Sequence, residues 1–400
     1  MNIKPIPNMH SVIRLLSFFI FLLFTVSCHA FSTLSRRVID TRQPSSSSPS
    51  SWSDTSLSES ITDSEDYLDN NSQTIAVIGS GAVGSYYGAR LWKEGQHQVQ
   101  FYLRPGTAFD ESQRKGFQIQ SIDGDFVLPP KDLCLVNSTF AMKKPDWIIL
   151  ALKTTSLAAI PDLIQPLLSE KVKILPFMNG MIDQELIRLL KEATGQTDDG
   201  ELQCCRTLYG GMAMIAANRV APGEIHHLFG GPISVGIAST QTSAETAKDE
   251  LLSLWEPIKT VGCNWEDSLR LGRWRKMLWN LPFNGVSVAM GGIPTDEIVT
   301  DPGLRILSRR VMEDTLAAAV AECGEGSLDQ GHIEDMYTFT DAMGSYRPST
   351  MIDLLERRPM EVEYLFRQPL QRAQALGVNT PYLFTIVTMI EALQRKYDLY

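Results

Sequence analysis

The chain has 400 residues, 44% of them hydrophobic and 20% charged, with a formal net charge of −10 at pH 7. That acidic balance lacks the basic footprint of a nucleic-acid binder, and the six cysteines, dispersed without a CxxC pair, give neither a disulfide framework nor a zinc site. What remains is an ordinary globular chain with room for two cores, at roughly 100–200 residues per domain.

At the N-terminus, Lys4 and Arg14 precede an apolar run from Leu15 to Val26, followed by Ser27-Cys28-His29-Ala30. A basic start, a short apolar run and small residues form a signal-peptide pattern. The run falls short of the about 20 residues a membrane span requires, although a single-pass anchor is the alternative. From Phe31 to Ile39 the chain carries hydroxyl and Arg residues with no acid before Asp40, the composition of a plastid transit peptide. Pro44 to Ser72 is a Ser-rich tract with too little apolar surface to offset ordering entropy. Residues 1–30 therefore read as signal peptide and 31–72 as transit peptide and disordered linker, a bipartite address resembling those of algae whose plastids have extra membranes. The expected location is the plastid. Secretion or an endomembrane site is the alternative, and sequons at Asn70 and Asn137 fit it.

Thr74 to Ile78 is a β-branched apolar run that leads into Gly79-Ser80-Gly81-Ala82-Val83-Gly84 and then a helical stretch ending before Gly95. Strand, glycine turn and helix together are the context of a dinucleotide-binding motif. Gly79 permits the tight turn, Gly81 lets backbone approach a pyrophosphate, and Gly84 lets helix pack on strand. The second strand, Val99 to Leu103, ends in Arg104, where an NAD-binding fold usually places an acid for the ribose hydroxyl. A guanidinium there points to NADP(H); the alternative is a solvated arginine at a strand end. Two more apolar strands follow. Trp147 to Leu152 ends in Lys153 and Thr154, and Lys173 to Met178 ends in Asn179-Gly180. Ligands bind beyond the carboxyl ends of parallel strands, which makes these polar ends site candidates. Residues 73–265 are expected to form this domain, with no metal site.

From 266 to 400 helical patterns dominate. In Arg273 to Asn284, the residues Lys276, Asn280 and Asn284 recur every four positions and share one helix face. Apolar residues fill most other positions, so a buried helix with a polar seam is expected, kinked by Pro282. A second polar group comprises Pro348 to Asp353 and, beyond Arg357-Arg358-Pro359-Met360, Glu361-Val-Glu363. The two arginines could simply neutralise nearby acids.

From Thr74 to about Tyr382 these motifs, in order, resemble the ketopantoate reductase (2-dehydropantoate 2-reductase) family, as a divergent branch. The matching stretches are the glycine turn, the Leu103-Arg104 and Leu152-Lys153 strand ends, Asn179-Gly180-Met181, the Trp274 to Asn284 helix, Pro348-Ser349 with Asp353, and Arg358 to Glu363. The resemblance implies an α/β fold, with an N-terminal Rossmann-type dinucleotide-binding domain, an all-helical C-terminal domain and the site in the cleft between them. It further implies Lys276 as proton donor and Glu361 as the carboxylate shaping the site. Lys153 and Asn179 would contact the cofactor, and Asn280, Asn284 and Ser349 would hold the substrate. Two stretches depart from the family run. Phe366-Arg367 stands where an Asn-Gly pair is usual, and Gly285-Val-Ser-Val follows Asn284 in place of Pro-Leu-Thr. The implied activity is NADPH-dependent reduction of 2-dehydropantoate to pantoate. Alternatives are reduction of another 2-keto acid, or NADP binding without catalysis. The expected partner is a small-molecule 2-keto acid, with no nucleic acid and no stable membrane association once the presequence is removed; a homodimer is left open.

Overall fold

The computed structural model describes residues 72–400, so the signal, transit and linker expectations fall outside the described residues up to 71. Ten strands form one mixed sheet: β1 (Thr74–Ile78), β2 (Gln98–Tyr102), β3 (Phe117–Ser121), β4 (Phe126–Leu128), β5 (Cys134–Val136), β6 (Trp147–Leu150), β7 (Lys173–Pro176), β8 (Thr207–Ala221), β9 (Glu224–Thr240) and β10 (Cys263–Trp265). Their order is β4-β3-β9-β8-β7-β6-β1-β2-β5, with β10 paired to β9.

The four strands expected from sequence, β1, β2, β6 and β7, pair in parallel as their continuous apolar runs require. Alternate residues feed opposite faces. Ile75, Val77 and Ile149 join one hydrophobic cluster, and Ala76, Ile78 and Ile148 join another. The long antiparallel β8–β9 hairpin was not expected. Its pairing is broken by several register shifts, and each bulge bends the strand and weakens a simple alternating pattern in the sequence.

The strand order reverses direction at β1, which has β2 on one side and β6 on the other. This switch point leaves a crevice at the carboxyl ends of the strands. Residues 79–84, Arg104, Lys153 and Asn179 all follow those ends, so the sheet alone gathers them on one rim.

The remainder is helical, as expected for an α/β sheet region followed by helices; among the described residues no strand follows Trp265. The helix Leu269–Ala289 runs through Pro282 without ending there, and 15 of its 21 residues are buried. It is the centre of a separate hydrophobic cluster formed with helices Pro302–Cys323, Gln330–Met343 and Pro381–Tyr397. Ser268 caps it, its hydroxyl accepting from the Leu271 N–H at 3.3 Å. No helix among the described residues is long and apolar enough to cross a membrane.

Two contacts seat the helices on the strand ends. Buried Arg273 donates to Asp183 at 2.6 and 2.9 Å and to the Met178 carbonyl at 3.0 Å. At Gly180, φ is +80°, and a Cβ there would collide with the Tyr364 carbonyl, which already accepts from the Met181 N–H at 2.9 Å. A left-handed conformation and a backbone collision both require glycine. Gly180→Ala is therefore expected to destabilise the protein by about 2 kcal/mol or more, measured as a lower denaturant midpoint. An unchanged midpoint would mean that the close approach at Tyr364 relaxes freely.

Candidate active site

The glycine turn is built as its spacing implies. Gly79 has φ +104°, and a Cβ there would stand 2.7 Å from the Ala151 carbonyl. A Cβ on Gly84 would collide with the Gly79 carbonyl and come within 3.0 Å of Ala151 Cβ. Around Gly81, by contrast, the space is open. The two outer glycines thus close the turn against β1 and β6, while the middle one leaves its backbone face free for a ligand. The helix Ala82–Lys93 begins there without a side-chain cap and without an acid in its first turn, so its free N–H groups and positive dipole end suit a phosphate. Ala82 and Val83 form that first turn. Ser80 does something else. Its N–H and hydroxyl both donate to the Tyr102 carbonyl, at 3.2 and 3.0 Å, tying the turn to the end of β2. Arg104 lies two residues beyond β2, exposed and outside every ion pair among the described residues.

The opposite wall comes from the helical half, and here residues far apart in sequence join one hydrogen-bond chain. The Glu361 carboxylate is buried. Its Oε1 accepts from the Thr154 N–H at 2.9 Å and the Thr154 hydroxyl at 3.1 Å, and its Oε2 accepts from Asn179 Nδ2 at 3.3 Å. Asn179 Oδ1 in turn accepts from Lys276 Nζ at 3.0 Å. Desolvation and then the Arg273 guanidinium pull the Lys276 pKa from 10.5 down to about 7, with Glu361 pulling the other way. An amine with that pKa is poised to give up a proton near neutrality.

Lys153 does not touch this chain. It pairs instead with buried Asp353, which also accepts from Arg358 Nε at 3.1 Å. Arg358 does neutralise an acid, as one reading of the sequence had it. Asn280 and Asn284, one and two helical turns beyond Lys276, are both buried. Asn280 Nδ2 has no hydrogen-bond partner among the described residues, and Asn284 Oδ1 accepts from the Thr350 N–H at 3.4 Å, beside Ser349. The structure thus joins Asn179, Lys276 and Glu361 directly and sets Asn284 next to Ser349. Lys153 stands at the same rim through its neighbour Thr154, and the glycine turn and Arg104 lie on the adjoining strand ends. Sequence reasoning passed over Asp353 as a partner of Lys153, because that pairing spans 200 residues and leaves no local pattern.

Residues 75–240 match the family described as ketopantoate reductase PanE/ApbA, and residues 268–394 match its C-terminal part. A 2-dehydropantoate 2-reductase of Nostoc sp. is 33% identical over 329 residues, 82% of this chain and 97% of that one. The crystal structure of 2-dehydropantoate 2-reductase from Geobacter metallireducens superposes with a TM-score of 0.71 at 32% identity, covering 80% of this chain and 99% of that one. A D-mandelate dehydrogenase solved with NADH and anilino(oxo)acetate shares the fold at 20% identity, with a TM-score of 0.68 over 81% of this chain and 99% of that one.

The Lys276 shift has a consequence for stability. Below pH 7, folded and unfolded chains both hold the proton, and the cost of the partly desolvated charge is fully present. Between about 7 and 10.5 only the unfolded chain keeps it, so this group makes stability rise with pH. Relative to Lys276→Met, the wild type should gain stability across that window, as read by denaturant unfolding at several pH values. A difference independent of pH would mean that Lys276 titrates as an ordinary lysine.

Proposed function

The chain belongs to the ketopantoate reductase family, whose members are oxidoreductases acting on CH–OH groups, and from that membership we propose that it reduces 2-dehydropantoate to pantoate with NADPH, for pantothenate and coenzyme A synthesis. The observation that carries this reading is the Lys276–Asn179–Glu361 chain, with the Lys276 pKa near 7.

The residues fit a bound dinucleotide. The open face at Gly81 and the uncapped helix start would take the pyrophosphate, and Arg104 would take the 2′-phosphate that distinguishes NADPH. When bound, the reduced nicotinamide supplies the hydride. A keto carbon that gains hydride leaves negative charge on its oxygen, and Lys276 donates the proton that neutralises it. Asn179 aims the ammonium by accepting from it, while Glu361 fixes Asn179 from behind. Asn280, Asn284 and Ser349 can hold the substrate's hydroxyl and carboxylate oxygens without adding charge, with Asn280 Nδ2 already free to donate. Lys153, paired to Asp353 at the rim, is placed to contact the cofactor.

Purified residues 73–400 should oxidise NADPH in the presence of 2-dehydropantoate. Lys276→Ala should lower kcat by about 10²–10⁴-fold, the usual worth of a positioned proton donor, with little change in NADPH binding. No turnover with 2-dehydropantoate would sink the assignment, and turnover confined to another 2-keto acid would keep the mechanism but change the substrate. On the cofactor side, Arg104→Ala should weaken NADPH binding by about 1.5–3 kcal/mol, as for a lost hydrogen bond to a charged group, and leave NADH nearly unaffected. Equal losses for both would assign Arg104 a structural role.

We also propose plastid delivery through residues 1–72, a segment ahead of the family match at 75. A fluorescent protein fused to residues 1–72 should enter the plastid, whereas residues 1–30 alone should take it only into the secretory route. The longer fusion appearing in the medium would establish secretion.

A further inference from the structure

Thr154 makes two of the three hydrogen bonds that Glu361 accepts. We infer that Thr154 is a positioning residue, holding Glu361 in the one orientation that turns the Asn179 amide toward Lys276. The inference rests on Lys276 being the proton donor.

Thr154 is buried at the end of β6, and its N–H and hydroxyl converge on the same carboxylate oxygen, Oε1, from a position 207 residues away in sequence. Two donors on one oxygen fix the rotation of the carboxylate about its last bond, which leaves Oε2 facing Asn179. A carboxylate oxygen can only accept, so Asn179 must present its NH₂ to Oε2 and its carbonyl oxygen to the other side. On that other side stands the Lys276 ammonium, which can only donate. Were the carboxylate free to swing, Asn179 could flip and set its NH₂ against the ammonium, breaking the one hydrogen bond that aims Lys276. A backbone N–H alone would anchor Oε1 through a single bond and leave that rotation free. The threonine hydroxyl supplies the second point.

The test separates the hydroxyl from the fold. Thr154→Val keeps the shape and the backbone N–H but removes the hydroxyl, and Thr154→Ser keeps the hydroxyl. The charged groups facing Lys276 are Arg273 on its own helix and Glu361 from the segment after helix Ser349–Leu355, with the Asn179 amide at the end of β7. Glu361 is the member that raises the Lys276 pKa. Releasing it should therefore move the Lys276 titration midpoint to lower pH in Thr154→Val and leave it in place in Thr154→Ser. The midpoint is read on the full chain from the pH dependence of amine acylation at Lys276, followed by peptide mass spectrometry. With NADPH and 2-dehydropantoate, kcat of Thr154→Val should fall about tenfold or more, matching a lost hydrogen bond to a charged group. NADPH affinity should stay within about twofold, and serine should restore most of the loss. Thr154→Ala, read the same way, serves if valine is not accommodated. A hydroxyl-free variant with the wild-type midpoint and wild-type kcat overturns the inference. Absence of wild-type turnover would instead defeat the functional reading, and the acylation midpoint would still decide the role of Thr154.

Discussion

A buried carboxylate must find donors, and Glu361 finds all of its donors on the other half of the molecule. Thr154 follows β6 and Asn179 follows β7, whereas Glu361 comes from the helical region. The contact that satisfies the acid is therefore also a contact that holds helices against sheet. Site and interface are one construction. Arg273 and Gly180 close the same seam from either side, one by filling a polar pocket between Asp183 and the Met178 carbonyl, the other by letting two backbones meet. This explains why the polar residues of the strand ends and the polar stripe of the Lys276 helix lie where they do. Each half supplies what the other leaves unpaired.

Such a seam has a standing energetic cost. Lys276 sits where desolvation and a neighbouring guanidinium both disfavour its charge, and a hydrophobic side chain would pack there without that penalty. Asp353 is fully buried between Lys153 and Arg358, yet its second oxygen has no partner. Asn280 keeps an amide nitrogen without a partner inside the fold. Polar groups left this way in a packed interior reduce stability; Asn280 and Asp353 are two of several among the described residues, one on the Lys276 helix face and one at the rim with Lys153. The proposed reduction of a keto acid would use both features, a proton donor near neutral pH and unspent amide donors.

How much of this could be read from the chain follows from the range of the interactions. The glycine turn is local. Three glycines with a strand before and a helix after specify their own geometry, and Gly79, Gly81 and Gly84 meet close contacts or open space as their spacing requires. The Lys276–Asn280–Asn284 stripe is also local, set by the period of one helix, and burial on the remaining faces follows from the apolar residues between. The β8–β9 hairpin was illegible because its bulges break the alternation that marks a strand. The partners of Glu361 were illegible for a different reason. Nothing within a window around Thr154 or Glu361 encodes a bond across 207 residues, and composition around Glu361 does not distinguish it from its neighbour Glu363. Only the family resemblance singled it out. The π-turn that starts at Glu363 left no mark in the periodicity either, although one inserted residue of this kind is a common companion of functional sites.

The two stretches in which the chain departs from the family run meet in the helical core. Phe366, in place of the usual asparagine, is fully buried in the helical core, and a Cβ added to Gly285 would stand 3.5 Å from its ring and 2.6 Å from Ile386 Cγ2. Close approach of Ile386 on helix Pro381–Tyr397 is what leaves no room for a side chain at 285, while the Phe366 ring lies at ordinary contact distance. Arg367, beside it, turns outward to pair with Glu363 and Glu391. Gly285 is one residue, and so about 100° of helix rotation, away from Asn284. Gly285 therefore faces helix Pro381–Tyr397, while Lys276, Asn280 and Asn284 keep to the polar stripe. Both departures thus fall in the packing behind the polar stripe and off the face that carries Lys276, Asn280 and Asn284.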